Sequence, residues 1–289
     1  MKYYVLFNPL AGHGKGNGSL DSLKSMLDGE ILMQDVTLVE DYDSFLRGIS
    51  EEDAVVLCGG DGTLNRFVNN VDTDSIKNPI FYYATGSGND FLNDVAKGSE
   101  GKIIEINKYL KNLPTVTINE KDYKFINGVG YGIDGYCCEI GDQMKAKSEK
   151  PVNYTAIAIK GLLYAFKPRA ATVIVDGKEI KYKKVWIAPT MNGRCYGGGM
   201  IPTPAQDRLN AEHTVSLMLF HGTGKLRTLM IFPSIFKGEH IKHTKAVTIL
   251  QGKEVTVKFD RPTPLQIDGE TVLGVNEYTV RAGVTADVK

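Results

Sequence analysis

Three apolar runs in the first ninety residues, YYVLF (3–7), AVVLC (54–58) and IFYYA (80–84), each end in a glycine-bearing stretch and then a helical pattern. The stretches are NPLAGHGKG (8–16), GGDGT (59–63) and TGSGND (85–90). Strands that alternate with helices pair side by side in a parallel sheet, because each crossover returns the chain to the same starting edge. In such a sheet the loops leaving the carboxyl ends of the strands gather at one crevice, where ligands bind. This repeated strand, glycine loop and helix constrains the chain more than any other feature.

The first strand is expected at 3–7, followed by a helix beginning after Ser19 as N-cap. Further strands are expected at Val36–Val39, Ala54–Cys58 and Ile80–Ala84, with helices at Asp43–Ile49, Thr63–Asn70 and from near Phe91. After about residue 110 the texture changes. TVTI (115–118), KFING (124–128), ATVIVDG (171–177), KKVWIAP (183–189), TVSLMLF (214–220), KAVTIL (245–250) and EVTVKFD (254–260) are β-branched or alternating, with turn residues between. They predict a mainly antiparallel β domain, interrupted by helical patches at about 134–166 and 224–236. A chain of 289 residues suits two domains, since single cores rarely grow past ~250–300 residues. The expected division is 1–110, α/β, and 111–289, mainly β.

Lys plus Arg equals Asp plus Glu at 34 each, so no global field draws the chain to nucleic acid. The longest apolar stretches, Tyr154–Phe166 and Leu226–Phe236, fall short of the ~20 residues of a membrane span. The opening MKYYVLFNPLAG lacks the apolar core of a signal peptide. Cys58, Cys137, Cys138 and Cys195 make a poor disulfide framework. A cytoplasmic location is the expectation.

Glycine lets backbone N–H groups approach a phosphate, and the start of a helix adds partial positive charge. A carboxylate at that junction, Asp61, opposes phosphate unless it meets a metal ion or a hydroxyl that must lose its proton. The loops match neither a P-loop, lacking its four-residue gap and GK[ST] ending, nor a dinucleotide fingerprint. From pattern alone Asp90 reads as a helix N-cap, Glu270 as a charged hairpin tip after Asp268-Gly269, and Lys15 as either a phosphate-facing cation or a solvated loop lysine. His240 and His243 read as surface residues. The apolar stripes of Tyr154, Ile157, Ile159, Leu162, Leu163 and Phe166, and of Met230, Ile231, Phe232, Ile235 and Phe236, suit core, a lipid channel or a bilayer surface.

Asn8-Pro9 with its glycines, Gly59-Gly60-Asp61-Gly62-Thr63-Leu64-Asn65 and Gly86-Ser87-Gly88-Asn89-Asp90-Phe91 resemble the nucleotide-site signatures of the diacylglycerol kinase catalytic family. FINGVGYGIDG (125–135), GGGMIPTP (197–204) and PLQIDGE (264–270) resemble its second-domain segments in the same order, so the resemblance spans nearly the whole chain. It implies an α/β nucleotide domain, a β-sandwich domain with the last residues packing back on the first, and an active site in the cleft between them. ATP and Mg²⁺ are the implied cofactors, and diacylglycerol or a related membrane-derived lipid alcohol the implied acceptor. Transient contact with the inner face of a membrane follows, and a homodimer is expected on general grounds.

Carried over by position, Asn8, Gly59, Gly60, Thr63, Gly86, Ser87 and Asn89 contact nucleotide, with Lys15 as the cation of the first loop. Asp61, Asp90 and Glu270 form the acidic catalytic set, Glu270 being the general base, and Asp61 and Asp90 reach the metal. Replacing Asp61 with Asn is expected to abolish transfer and leave the fold intact. The sequence departs from the family's pattern twice. Arg66 stands where a Glu is common, and PAQDRLNAEH replaces the acidic segment of members with a second, structural Mg²⁺ site, leaving Asp207 as its one counterpart. An NAD kinase, whose related fold also uses GGDG, is the alternative enzyme, opposed by GSGNDF. A nucleotide-binding regulator without catalysis is the other alternative, opposed by intact Asp61, Asp90 and Glu270.

Overall fold

The computed structural model describes residues 1–8, 16–86, 88–148 and 152–283. Lys15 and Ser87 lie outside the described residues, as do 284–289. The chain divides into two compact units, Met1–Leu113 and Pro114–Lys289.

The first unit runs β1 (Lys2–Phe7), α1 (Gly16–Lys24), β2 (Glu30–Asp35), α2 (Tyr42–Arg47), β3 (Ala54–Gly59), α3 (Asp61–Asn69), β4 (Ile80–Ala84), α4 (Asp90–Val95), β5 (Ile103–Glu105) and α5 (Asn107–Leu110). The sheet order is β2-β1-β3-β4-β5. The first four strands pair in parallel, and β5 closes one edge antiparallel to β4. All six residues of β3 are buried, as a central strand covered on both faces requires. Val56 and Cys58 pack with Val5, Tyr83 and Leu23 of α1. Elsewhere in the unit, Tyr82 meets Phe91 of α4 edge to face, and Tyr42 of α2 meets Phe67 of α3 likewise.

Two local expectations fail here. The second strand is Glu30–Asp35, and Val36–Leu38 forms a 3₁₀ turn instead. Asp35 stops the strand by accepting the Thr37 N–H at 2.8 Å, the local competition for backbone that short acidic side chains offer. Helix α1 starts at Gly16, so Ser19 lies inside it rather than at its N-cap.

The second unit runs β6 (Thr115–Ile118), β7 (Lys121–Lys124), β8 (Gly128–Tyr131), α6 (Ile133–Lys145), α7 (Tyr154–Lys160), β9 (Arg169–Val175), β10 (Lys178–Val185), β11 (Thr190–Met191), β12 (Val215–Phe220), α8 (Lys225–Ile231), β13 (Val247–Gly252), β14 (Glu254–Ile267) and β15 (Glu270–Arg281). The antiparallel order is β13-β12-β11-β8-β14-β15-β6-β7, with the β9–β10 hairpin joined through β9 to β14. The result is a β-sandwich-like unit built on the long β14–β15 hairpin. One core lies among Val129, Tyr131, Val173, Leu217, Val257 and Tyr278. A second lies under the helices, with Leu162, Phe166, Trp186, Phe220, Ile231 and Ile235.

Strand β14 outruns the expected 254–260 and continues through Pro262 and Pro264 to Ile267. The register shifts at those prolines, which have no N–H to give a ladder. KFING is not one strand: β7 stops at Lys124 and β8 begins at Gly128, leaving Phe125–Asn127 as a corner. The long helical patches are broken, α7 passing into a π-helical turn at Gly161–Ala165 and α8 into a 3₁₀ turn at Phe232–Lys237. His240 is a buried residue, not a surface one, and its Nε2–H donates to the Pro202 carbonyl at 2.8 Å. The four cysteines are free thiols, and burial pushes those of Cys58 and Cys137 up to about 12.

Candidate active site

In the first unit the strand register brings the loop origins level. Phe7 pairs with Cys58 and Gly59 with Ala84, so Asn8, Gly60 and Thr85 leave the sheet together at its carboxyl edge. The second and third loops then bind each other. The Gly59 carbonyl accepts the N–H groups of Thr85 (2.9 Å) and Gly86 (3.3 Å) and the Tyr82 hydroxyl (3.0 Å), and the Gly88 carbonyl accepts the Asp61 N–H at 3.1 Å. A Cβ on Gly86 would lie 2.5 Å from Gly60 Cα, and one on Gly60 would lie 2.8 Å from the Gly88 oxygen. These glycines are therefore required by the approach of backbone to backbone, before any ligand enters. Gly62, exposed in the first turn of α3, has open space about it and is the glycine through which a phosphate can reach the start of that helix.

Asp61 holds the loops from the other side. One carboxylate oxygen accepts the Asp90 N–H at 2.8 Å and the other the Phe91 N–H at 3.0 Å. It caps α4 across the loops, where a carboxylate meets the helix's positive end. Asp90 is not the N-cap; Asn89 occupies that position without a side-chain cap bond. Asp90 is buried within the first turn. The Asn89 amide donates to the Gly86 carbonyl at 2.9 Å, while its Oδ1 is buried with no partner among the described residues. Burial, with the Asp61 charge nearby, keeps the Tyr82 hydroxyl protonated well beyond its ordinary range. Thr63 lies over Gly59, whose Cβ would strike its Oγ1. Arg66 is exposed on α3.

This donor set fits the implied Mg²⁺, which binds through one or two carboxylates and completes its octahedron with water and phosphate. Asp61 and Asp90 supply two carboxylates, and each Asp61 oxygen keeps a lone pair beyond the N–H it accepts. Among the described residues no three His, Cys, Asp or Glu gather as a complete metal cage.

In the second unit Glu270 opens β15 opposite Ile267 across the tight Asp268-Gly269 turn, both of whose residues have positive φ. Glu270 is exposed, and no hydrogen bond or ion pair is formed by its carboxylate among the described residues. Its turn is fastened by residues that sequence pattern did not reveal. The Asp268 carboxylate accepts three N–H groups of the Phe125–Gly128 corner, those of Ile126 (2.6 Å), Asn127 (2.8 Å) and Gly128 (2.9 Å). Gln266 accepts the Gly269 N–H at 2.6 Å and donates to Asp134, in the first turn of α6, at 3.0 Å. The signal available in sequence was only that QIDGE and FINGVGYGIDG both carry short polar residues among apolar ones. Asp207 is exposed and accepts the N–H of Leu209 two residues on, closing its own turn.

The family model of the diacylglycerol kinase catalytic domain matches residues 2–118, and that of the YegS C-terminal NAD kinase beta sandwich-like domain matches residues 127–283. The Bacillus subtilis protein YtlR is 23% identical over 96% of this chain and 95% of its own. A diacylglycerol kinase of Mycobacterium tuberculosis is 24% identical over 83% of this chain and 80% of its own. The crystal structure of a diacylglycerol kinase from Bacillus anthracis aligns with a TM-score of 0.60 at 16% identity, covering 98% of this chain and 94% of that one.

Proposed function

Because the chain belongs to the diacylglycerol kinase family, carrying its catalytic domain followed by the NAD kinase beta sandwich-like domain, we propose that it transfers the γ-phosphate of ATP to the hydroxyl of diacylglycerol or a related lipid alcohol. The observation that carries this reading is the pair of back-to-back glycine loops held together by Asp61, whose carboxylate accepts the Asp90 N–H. Transfer of a phosphoryl group leaves a protein little covalent chemistry to do; it aligns the partners and stabilises charge.

The start of α3 at Gly62 receives phosphate oxygens. Asp61 and Asp90 would hold Mg²⁺, which would supply neutralisation of the charge on the phosphates. Glu270, whose carboxylate is already free of partners, takes the proton from the lipid hydroxyl as its oxygen bonds to the γ-phosphorus. The bond from that phosphorus to the bridging oxygen breaks, and ADP leaves.

A lipid acceptor requires access to a lipid surface, and α7 and α8 supply a suitable face. Tyr164, Leu226 and Met230 are each at least 75% exposed. The Lys225 ammonium donates to the Leu163 carbonyl at 2.7 Å, which sets the start of α8 beside the π-helical turn. Residues 152–175 and 213–238 contain Lys160, Lys167, Arg169, Lys225, Arg227 and Lys237 and not one Asp or Glu, in a chain whose formal charge is zero. Exposed apolar side chains with a basic surround suit an anionic bilayer. The other members of the apolar stripes divide: Ile157, Leu162, Phe166, Ile231 and Ile235 are core.

The test is transfer of labelled γ-phosphate from ATP, with Mg²⁺, to diacylglycerol, monoacylglycerol, sphingosine and NAD, the lipids presented in anionic vesicles. A labelled lipid is expected, with turnover by Glu270→Gln reduced far more than its affinity for ATP. Labelled NAD alone would refute the lipid acceptor, and a Glu270→Gln loss confined to affinity would remove Glu270 as base.

A further inference from the structure

The loop between β11 and β12 is where the sequence departs from the family's pattern for a second metal ion, and its cross-links are made by one guanidinium and several side-chain amides. The Arg208 guanidinium donates to the Ile126 carbonyl and, through Nη2, to Asn127 Oδ1 at 2.7 Å. Asn192 Nδ2 shares the Ile126 carbonyl at 3.2 Å, and the Asn192 and Gly193 N–H groups reach the Asn127 carbonyl. Two residues before Arg208, Gln206 Nε2 draws together the carbonyls of Asn192 (3.3 Å), Asp207 (3.2 Å) and Thr214 (2.8 Å). Asn210 Nδ2 ties the last two again, at 2.7 and 3.0 Å. Ser216 donates to Gln206 Oε1 at 2.6 Å, so that amide is used on both sides.

Converging carbonyl oxygens beside a carboxylate are the donor set of a hard cation. They repel one another unless something positive or proton-donating stands among them. Here Gln206, Asn210 and Arg208 stand there. We propose that this loop is a metal-free brace, in which the Arg208 guanidinium and two side-chain amides do the cross-linking of a structural divalent ion. Arg208 is then a positioning residue for Glu270. It grips the Ile126–Asn127 corner by its carbonyl side, Asp268 grips the same corner by its N–H side, and Gly269 and Glu270 follow directly from Asp268. A point charge substitutes for the guanidinium only in part, because two acceptors must be met from one planar group.

The inference about Glu270 rests on the kinase reading; that about the metal does not, and the experiment keeps them apart. On the full chain, thermal unfolding without nucleotide is measured in Mg²⁺ and in EDTA, and amide exchange at 126–128 and 268–270 is compared between wild type, Arg208→Met and Arg208→Lys. The expected result is one unfolding temperature for wild type in both solutions, and faster exchange at both segments in Arg208→Met, with Arg208→Lys intermediate. Lipid phosphorylation by Arg208→Met is expected to fall roughly 10–100-fold in kcat, the loss that follows misplacement by about an ångström, with KM for ATP unchanged. EDTA lowering the wild-type unfolding temperature, with Mg²⁺ restoring it, would overturn the metal-free brace. Unchanged exchange or unchanged kcat in Arg208→Met would overturn the positioning role. Absence of lipid phosphorylation by wild type would refute the proposed function, while the unfolding and exchange results still decide the brace.

Discussion

Asp61→Asn is the substitution that most directly tests how the nucleotide-side loops are held. The wild-type carboxylate accepts one backbone N–H on each oxygen, from Asp90 and Phe91. An Asn keeps a single acceptor, and its amide N–H₂ must face the other backbone N–H. One charge-assisted hydrogen bond is lost, about 1.5–3 kcal/mol, and a donor is left unsatisfied at ~1–3 kcal/mol, terms that overlap. The favourable meeting of charge with the start of α4 adds ~0.3–1 kcal/mol. Together these give a destabilisation of about 2–4 kcal/mol. Against total stabilities of ~5–15 kcal/mol that is a large loss, so the variant should fold, but with a much reduced margin. At roughly 4 °C per kcal/mol for a unit of this size, the first unit should melt about 10 °C lower. Differential scanning calorimetry beside a phosphoryl-transfer assay reads both effects. A variant that melts with wild type would show that the carboxylate is not the latch described. A variant that melts early but retains turnover at low temperature would leave the latch standing and remove Asp61 from the chemistry.

Three further substitutions test the loop packing and a buried histidine. Gly86→Ala places a Cβ 2.5 Å from Gly60 Cα, so one loop must move by about an ångström, and kcat should fall around 100-fold. Gly88→Ala in the same loop meets nothing nearer than Asp61 Oδ2 at 3.5 Å and should be mild; equal damage from both would refute the packing argument. Burial holds the His240 pKa below its ordinary value, while the unfolded chain binds that proton near pH ~6.5, so stability should decline as pH falls below that point. In His240→Gln, melting temperature between pH 7 and 5 should fall less steeply. His221, depressed likewise by burial, keeps some slope, and a profile identical to wild type would exclude His240 as the cause.

The alternation of strands and helices was legible because central parallel strands are apolar on both faces, and Ala54–Gly59 and Ile80–Ala84 announce this in composition alone. Val36–Val39 misled because its apolar residues look like a strand, while Asp35, one position earlier, turns the chain out of the sheet. The antiparallel edge strand Ile103–Glu105 is three residues long, too short to carry a period. In the site, the glycines and carboxylates were visible as residue types, yet their partners were not. Asp61 was read as facing a metal ion or a hydroxyl; that its carboxylate also holds main chain twenty-nine and thirty residues later has no local signature. Asp268 read as a turn former by its neighbour Gly269, and its attachment to a corner 140 residues earlier has no local signature. Arg208 was passed over because the expected chemistry at that position was acidic.

The fastening of Asp268 to Ile126–Gly128 has a consequence for synthesis. The sequence separations of 140–142 residues mean that, on a ribosome, the corner must wait for nearly the whole second unit to emerge before its N–H groups find their acceptor. Strands β8 and β9 wait as well, since both pair with β14. The first unit, whose strands join neighbours close in sequence, can close long before. A nascent chain would thus carry a finished first unit for most of its translation time while its second unit stays unbuilt. Pairings of such long range make for slow folding and exposed strand edges, so the second unit is where demand on chaperones should concentrate.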